Sequence, residues 1–220
     1  MPAEKITSRS PWHAVLVLDD SESMKGRKIE TLNDAIGAMI DEMRLWSGGG
    51  QKPYFRVSVI SFGSSATVLS EAVGEGAVDI ARVTSLRADS GTTNAAEALT
   101  KAIEVLERNP GEATHFEPFV FFFSDGRPDH RLRALDRGAR LKSLRLASGE
   151  PRLITIGIGD ADDGFMKELA TVRHGEARYR RLNDADDIKY FFPTIGTVAA
   201  SMAADRRSSA DQLEEAIMII

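Results

Sequence analysis

Cysteine is absent from all 220 residues. That absence removes disulfide staples, thiolate zinc centres, iron–sulfur clusters and cysteine nucleophiles together. Positive charge is also in short supply: 28 Lys and Arg stand against 33 Asp and Glu, a net charge of −5. A nucleic-acid binder is expected to carry a strongly basic face instead. No apolar run approaches the ~20 residues that span a bilayer. The start, MPAEKITSRSPWHAVLVLDD, lacks the basic region, apolar middle and small-residue cleavage site of a secretory leader. A soluble, cytoplasmic protein is therefore expected. Histidine is sparse as well. His13, His115, His130 and His174 are scattered and share no motif, so no imidazole chemistry is assigned.

What is present suits one globular domain. Apolar residues at 42% and charged residues at 28% match the ordinary mix. A chain of this length buries roughly 70% of its unfolded surface and needs no metal to fold. The domain is expected over residues 12–204, between a flexible start at 1–11 and a tail at 205–220. That tail is charged and then apolar at EEAIMII, an end expected to fold back or to dock on a neighbour.

Along the chain, short apolar runs alternate with helical periodicity. Ala14–Leu18 is a continuous apolar run ending in Asp19, the mark of a strand buried on both faces. Ile29, Leu32, Ile36, Met39, Ile40 and Met43 recur at three- and four-residue spacing, which predicts a helix over about 27–46, stopped by the glycines at 48–50. FRVSVISF at 55–62 predicts a second strand, and 66–69 a short strand returning beside it. After an irregular stretch at 74–91, Asn94 is placed to cap a helix from Ala95 to Leu106. Phe119–Phe123 and Arg152–Ile158 are further buried strands, each followed by a helix, near 129–148 and 163–172. A strand near 178–182 precedes a last helix at about 187–204, which Pro193 starts or kinks. The pattern predicts an α/β fold, a three-layer α/β/α sandwich around a mainly parallel, Rossmann-like sheet with one antiparallel edge strand.

Ligands of open α/β sheets bind beyond the carboxyl ends of the strands, where the strand order reverses. Asp19-Asp20-Ser21-Glu22-Ser23 follows the first strand, and Ser124-Asp125-Gly126 follows the Phe-rich one. A third loop, Gly91-Thr92-Thr93-Asn94, opens a helix. These loops offer carboxylates and hydroxyls without sulfur or imidazole, a donor set suited to Mg²⁺, Mn²⁺ or Ca²⁺. Two carboxylates with three hydroxyls would leave such an ion electron-poor and open to a carboxylate from outside.

The run Leu18–Met24 resembles the D-x-S-x-S signature of the metal-ion-dependent adhesion site of von Willebrand A domains. Gly91–Asn94 resembles the G-G-T-N loop of that family, and Phe123–Gly126 its T-D-G loop. Three motifs in order, each after the right element, are far more specific than any one alone. The resemblance, over about 12–200, implies a Mg²⁺-type site in which Ser21 and Ser23 bind directly. Thr93 would bind directly or through water, and Asp19 and Asp125 mainly through ordered waters. It also implies a non-enzymatic interaction module whose protein partner completes the coordination with a Glu or Asp. Specificity would come from loops at 22–27, 63–66, 91–94 and 126–130. Two departures, Glu22 and Thr92 in place of glycines, remove no ligand. The patterns IETLNDAIGAMIDEM and VSVISF resemble stand-alone bacterial members associated with tellurium resistance.

Plainer readings exist for each residue. Asp19, Ser21 and Ser23 could simply cap the next helix, Thr93 could be a cap, and Asp125 a turn residue. The basic stretch Arg127–Arg145 is read first as a solvated helix face and second as a dock for an acidic partner. The order Asp19, Ser124, Gly159–Asp163 also resembles haloacid-dehalogenase-type phosphatases. That chemistry needs an acid two residues after the nucleophile, and Ser21 cannot serve. The acidic 160–163 run is instead expected to start a helix. A Mg²⁺-dependent hydrolase and a subunit of a chelatase-like ATPase assembly stand as alternatives to the interaction module.

Overall fold

The computed structural model describes residues 11–47, 55–125, 127–183, 185–204 and 210–219. The expected loose ordering of 1–10, the glycine stop at 48–50, Gly126, and tail residues 205–209 and 220 lie outside these.

In chain order, β1 (Trp12–Asp19) leads through a short 3₁₀ turn, Glu22–Met24, into α1 (Arg27–Ser47). The antiparallel pair β2 (Phe55–Phe62) and β3 (Ala66–Gly74) follows. Then come α2 (Ile80–Val83), α3 (Ala95–Arg108), β4 (Phe119–Ser124), α4 (Arg131–Lys142), β5 (Arg152–Ile158) and α5 (Asp163–Leu169). A small hairpin, β6 (Val172–Arg173) with β7 (Glu176–Ala177), precedes β8 (Tyr179–Leu182), α6 (Ala185–Ala204) and α7 (Ala210–Ile219).

The main sheet has the order β3-β2-β1-β4-β5-β8, all parallel except β3 at one edge. β1 has β2 on one side and β4 on the other, so the order reverses between β1 and β4. Side chains alternate across the sheet with the two-residue period of a strand. Leu16, Leu18, Phe119, Phe121, Phe123, Ile154 and Ile156 face α1 and α6, meeting Leu32, Ile36, Met39, Phe191 and Phe192. Val15, Val17, Val120, Phe122 and Leu153 face the other way, onto Ala98, Leu99 and Ala102 of α3, Leu141 of α4, and Phe165 and Met166 of α5. Burial of each large side chain contributes ~1.5–3 kcal/mol, which is why the Phe-rich run sits at the centre of the sheet. Among the described residues no helix is long and apolar enough to cross a membrane.

Several boundaries differ from expectation for local reasons. β3 extends to Gly74, twice the expected length. Within the stretch read as irregular, Asp79 caps α2 by accepting from the Arg82 N–H at 3.2 Å. α4 stops at Lys142, after which the Leu144 N–H bonds the Leu141 carbonyl, three residues back instead of the helical four. A tight Leu146–Gly149 bridge follows it. α6 continues through Pro193. Asn94 and Asp162 cap α3 and α5 as the sequence suggested, accepting from Glu97 N and Phe165 N. The tail is helical in α7: Ile217 is buried in the core, while Ile219 is 81% exposed.

Candidate metal centre

The register of the sheet delivers the first carboxylate. β1 and β4 pair Leu18 with Phe123, so Asp19 and Ser124 leave the sheet side by side. Ser124 Oγ donates to Asp19 Oδ2 at 2.5 Å, and the Ser21 N–H donates to Oδ1 at 2.9 Å. Backbone bonds then staple four loops together. The Glu22 N–H reaches the Gly91 carbonyl at 2.9 Å, Asn94 N–H the Gly63 carbonyl at 2.8 Å, and Asp129 N–H the Thr93 carbonyl at 3.1 Å. Gly91 holds φ at +79°, a left-handed conformation that favours glycine.

Within this frame the hydroxyls form a continuous chain. Thr93 Oγ1 donates to Ser21 Oγ at 3.2 Å, Ser21 Oγ and Ser23 Oγ lie 3.1 Å apart, and Ser23 Oγ donates to Asp125 Oδ1 at 2.6 Å. Asp19, Ser21, Ser23, Thr93 and Asp125 are thus gathered in one place. The cap readings of Ser21 and Thr93 are not met. Ser21 sits at the cap position of the Glu22–Met24 turn yet makes no side-chain cap bond. Asn94, not Thr93, caps α3.

The electrostatics of the centre are uneven. Asp19 is fully buried and accepts only from neutral donors. Burial pushes its carboxyl up to about 6. The bonds from Ser124 and Ser21 oppose that rise, and the nearby charge of Asp125 adds to it. Asp125 instead meets the Lys28 ammonium at Oδ2. Lys28, on the first turn of α1, was not singled out in the sequence, because its partner lies 97 positions away. Asp20 turns away: it faces Ser90 and Ser61, and burial raises its pKa. Glu22 points outward and pairs with Lys25 at 3.5 Å.

The donor set fits a hard dication. It contains oxygen only, and Asp19 is a buried anion with no cation of its own. Among the described residues, no three or more His, Asp or Glu side chains gather into a carboxylate-rich cage. Three of the five oxygen-bearing side chains gathered here are therefore neutral hydroxyls. Among the described residues, neither Ser124 nor His13 is placed to act as a nucleophile or base at the centre. Ser124 is buried beneath Asp19, out of reach of a substrate. His13 lies at the other end of β1, bonded to Ser58 at 2.9 Å. Three residues of the basic stretch after Asp125 are paired: Arg131 with Asp162 and Glu168, Arg140 with Glu107, and Arg145 with Glu150.

Comparison with known proteins gives a consistent result. Residues 14–194 match the von Willebrand factor type A domain family. Inter-alpha-trypsin inhibitor heavy chain H4 of Sus scrofa is 27% identical over 92% of this chain; the chain spans only 22% of that relative's length. The pilus adhesin SpaC of Lactobacillus rhamnosus GG superposes with a TM-score of 0.72 at 14% identity, over 90% of this chain and 31% of its own. Proximal thread matrix protein 1 of the mussel byssus, with a zinc-occupied MIDAS motif, gives 0.65 at 13% identity, over 89% of this chain and 47% of its own.

Proposed function

This chain belongs to the von Willebrand factor type A domain family, and on that premise we propose that it is a non-enzymatic, divalent-metal-dependent protein-interaction module. One observation carries the reading. Thr93, Ser21, Ser23 and Asp125 form an unbroken line of oxygens at the β1–β4 reversal, beside a buried Asp19 that has no cation partner.

A bound Mg²⁺, or Mn²⁺ or Ca²⁺ in its place, would supply an electron-poor centre with a coordination position open to an outside carboxylate. The chain's own residues do the rest. Ser21, Ser23 and Thr93 present neutral oxygens from a stapled frame, so little reorganisation is needed. Asp19 and Asp125 supply the negative charge that holds the ion. Ser23, Ser64, Thr92, Arg127 and Asp129 are exposed around the centre and form the rim that a protein partner would read. The partner's Glu or Asp is recognised by charge and its surroundings by that rim. The finer assignment, to a bacterial tellurium-resistance or stress-response complex, draws on the α1 and β2 sequence patterns alone.

The test is partner retention from lysate in Mg²⁺ against EDTA, for the wild type and Asp19→Ala. The expected outcome is a partner held by the wild type in Mg²⁺ and released in the other three conditions. Equal retention throughout would refute metal-dependent interaction.

A further inference from the structure

We infer that Lys28 is a built-in counter-cation of this centre, one that weakens its hold on a dication and sharpens its pull on an outside carboxylate. The inference rests on the metal-binding reading above.

The placement of Lys28 is specific. Its ammonium bonds Asp125 Oδ2 and reaches the Ser23 carbonyl at 3.4 Å. It runs past Gly159 at the end of β5, where an added Cβ would stand 3.4 Å from Lys28 Cε and 3.6 Å from Nζ. The Asp125 side chain is 1% exposed and that of Lys28 37%, so the carboxylate has lost its water while the ammonium keeps some. Attraction in such a pair is less screened than between two surface charges. Both oxygens of Asp125 are then occupied, one by Ser23 and one by Lys28.

Two consequences follow from charge alone. Without metal, the ammonium cancels one of the two carboxylates and keeps Asp125 in place. With a dication present, Lys28 repels it and shares its ligand, while the loaded centre carries one net positive charge. Removing Lys28 would leave that loaded centre neutral and less attractive to an acidic partner. A unit charge and a dication a few ångströms apart in a water-like medium repel enough to change affinity by roughly tenfold or more.

The experiment uses Mn²⁺ alone as the probe. Titration calorimetry of the wild type, Lys28→Met and Lys28→Arg is combined with thermal melts in EDTA and in Mn²⁺. Lys28→Met should bind Mn²⁺ about tenfold tighter, melt lower than wild type in EDTA, and recover in Mn²⁺. Lys28→Arg, which keeps the cation, should stay near wild type in both. Starting from Mn²⁺-loaded protein and competing with a chelator preserves the affinity comparison if metal-free Lys28→Met unfolds. Wild type that binds Mn²⁺ with Lys28→Met no tighter would overturn the role of Lys28 alone. Wild type that binds no Mn²⁺ would overturn the metal reading and this inference together.

Discussion

The two ends of the sheet bury acidic side chains in opposite ways. At the amino ends of β5 and β8, Glu214 of α7 is buried between Arg152, at 2.9 Å, and Arg178. Glu117 and Asp211 add to Arg152 at 2.6 Å, and Glu215 adds to Arg178. At the carboxyl ends, Asp19 is just as deeply buried but receives only two hydrogen bonds from neutral groups, and Asp125 has one lysine. The first arrangement is closed: each charge has its opposite, and the effect is to fasten α7 to the domain. The second is open, because the cost of burying Asp19 is offset only in part by its hydrogen bonds from neutral groups. Charge left uncompensated in a formed, oxygen-lined centre is what distinguishes a place for a ligand from a structural clasp.

Breaking the closed end should have the largest effect on stability. Glu214→Ala removes the carboxylate shared by two buried arginines, which keep Glu117, Asp211 and Glu215, and should cost about 1.5–3 kcal/mol in denaturant unfolding. Metal affinity should be unchanged, since α7 lies at the far end. The same kind of change at the open end should act in the opposite direction. Asp19→Asn removes a buried carboxylate whose pKa is raised, so the metal-free protein should gain about 1–2 kcal/mol near pH 8. That gain should come with loss of metal binding.

The pH dependence separates the ends further. The Asp19 carboxyl is raised from 3.8 to about 6 in the fold. Its contribution to stability is therefore full below about pH 4 and is lost as pH rises through about 6. His13, near the amino end of β1, is lowered from 6.5 to about 4 by burial, with the charge of Arg56 adding. Its contribution is full above pH 6.5 and is lost as pH falls through about 4. In the metal-free wild type the two slopes oppose each other, each amounting to up to about 3 kcal/mol. His13→Gln should therefore gain stability relative to wild type as pH falls from 6 to 4, and Asp19→Asn should lose it. Thermal melts in EDTA across that range would check both signs, and parallel curves would mean that neither group is perturbed as described.

The open end was readable from the sequence, and the closed end was not. Asp19, Ser21, Ser23, Thr93 and Asp125 each lie directly after a strand or before a helix that apolar periodicity marks. The β1–β4 register brings the Asp19 and Asp125 loops together, and the Glu22–Gly91 backbone bond adds the Thr93 loop. Lys28 was invisible because a lysine on a first helical turn has an ordinary solvated reading, and its partner is distant in sequence. Glu214, Arg152 and Arg178 were hidden for a related reason. Charged side chains are rarely buried, and only the return of α7 across the sheet supplies three at once. The β6–β7 hairpin and α2 are too short to show a period, and the early end of α4 depends on backbone bonds that side-chain patterns do not report.

The most direct measurement for the central claim is Mn²⁺ titration calorimetry on wild type and Asp125→Ala, at a pH above 7 where Asp19 is ionised. One saturable site in the wild type, weakened at least tenfold in Asp125→Ala, is the result expected if these five oxygen-bearing residues form a single centre. Equal affinity in the two proteins would show that Asp125 and the Asp19–Ser23 loop do not serve the same ion, and would contradict the account.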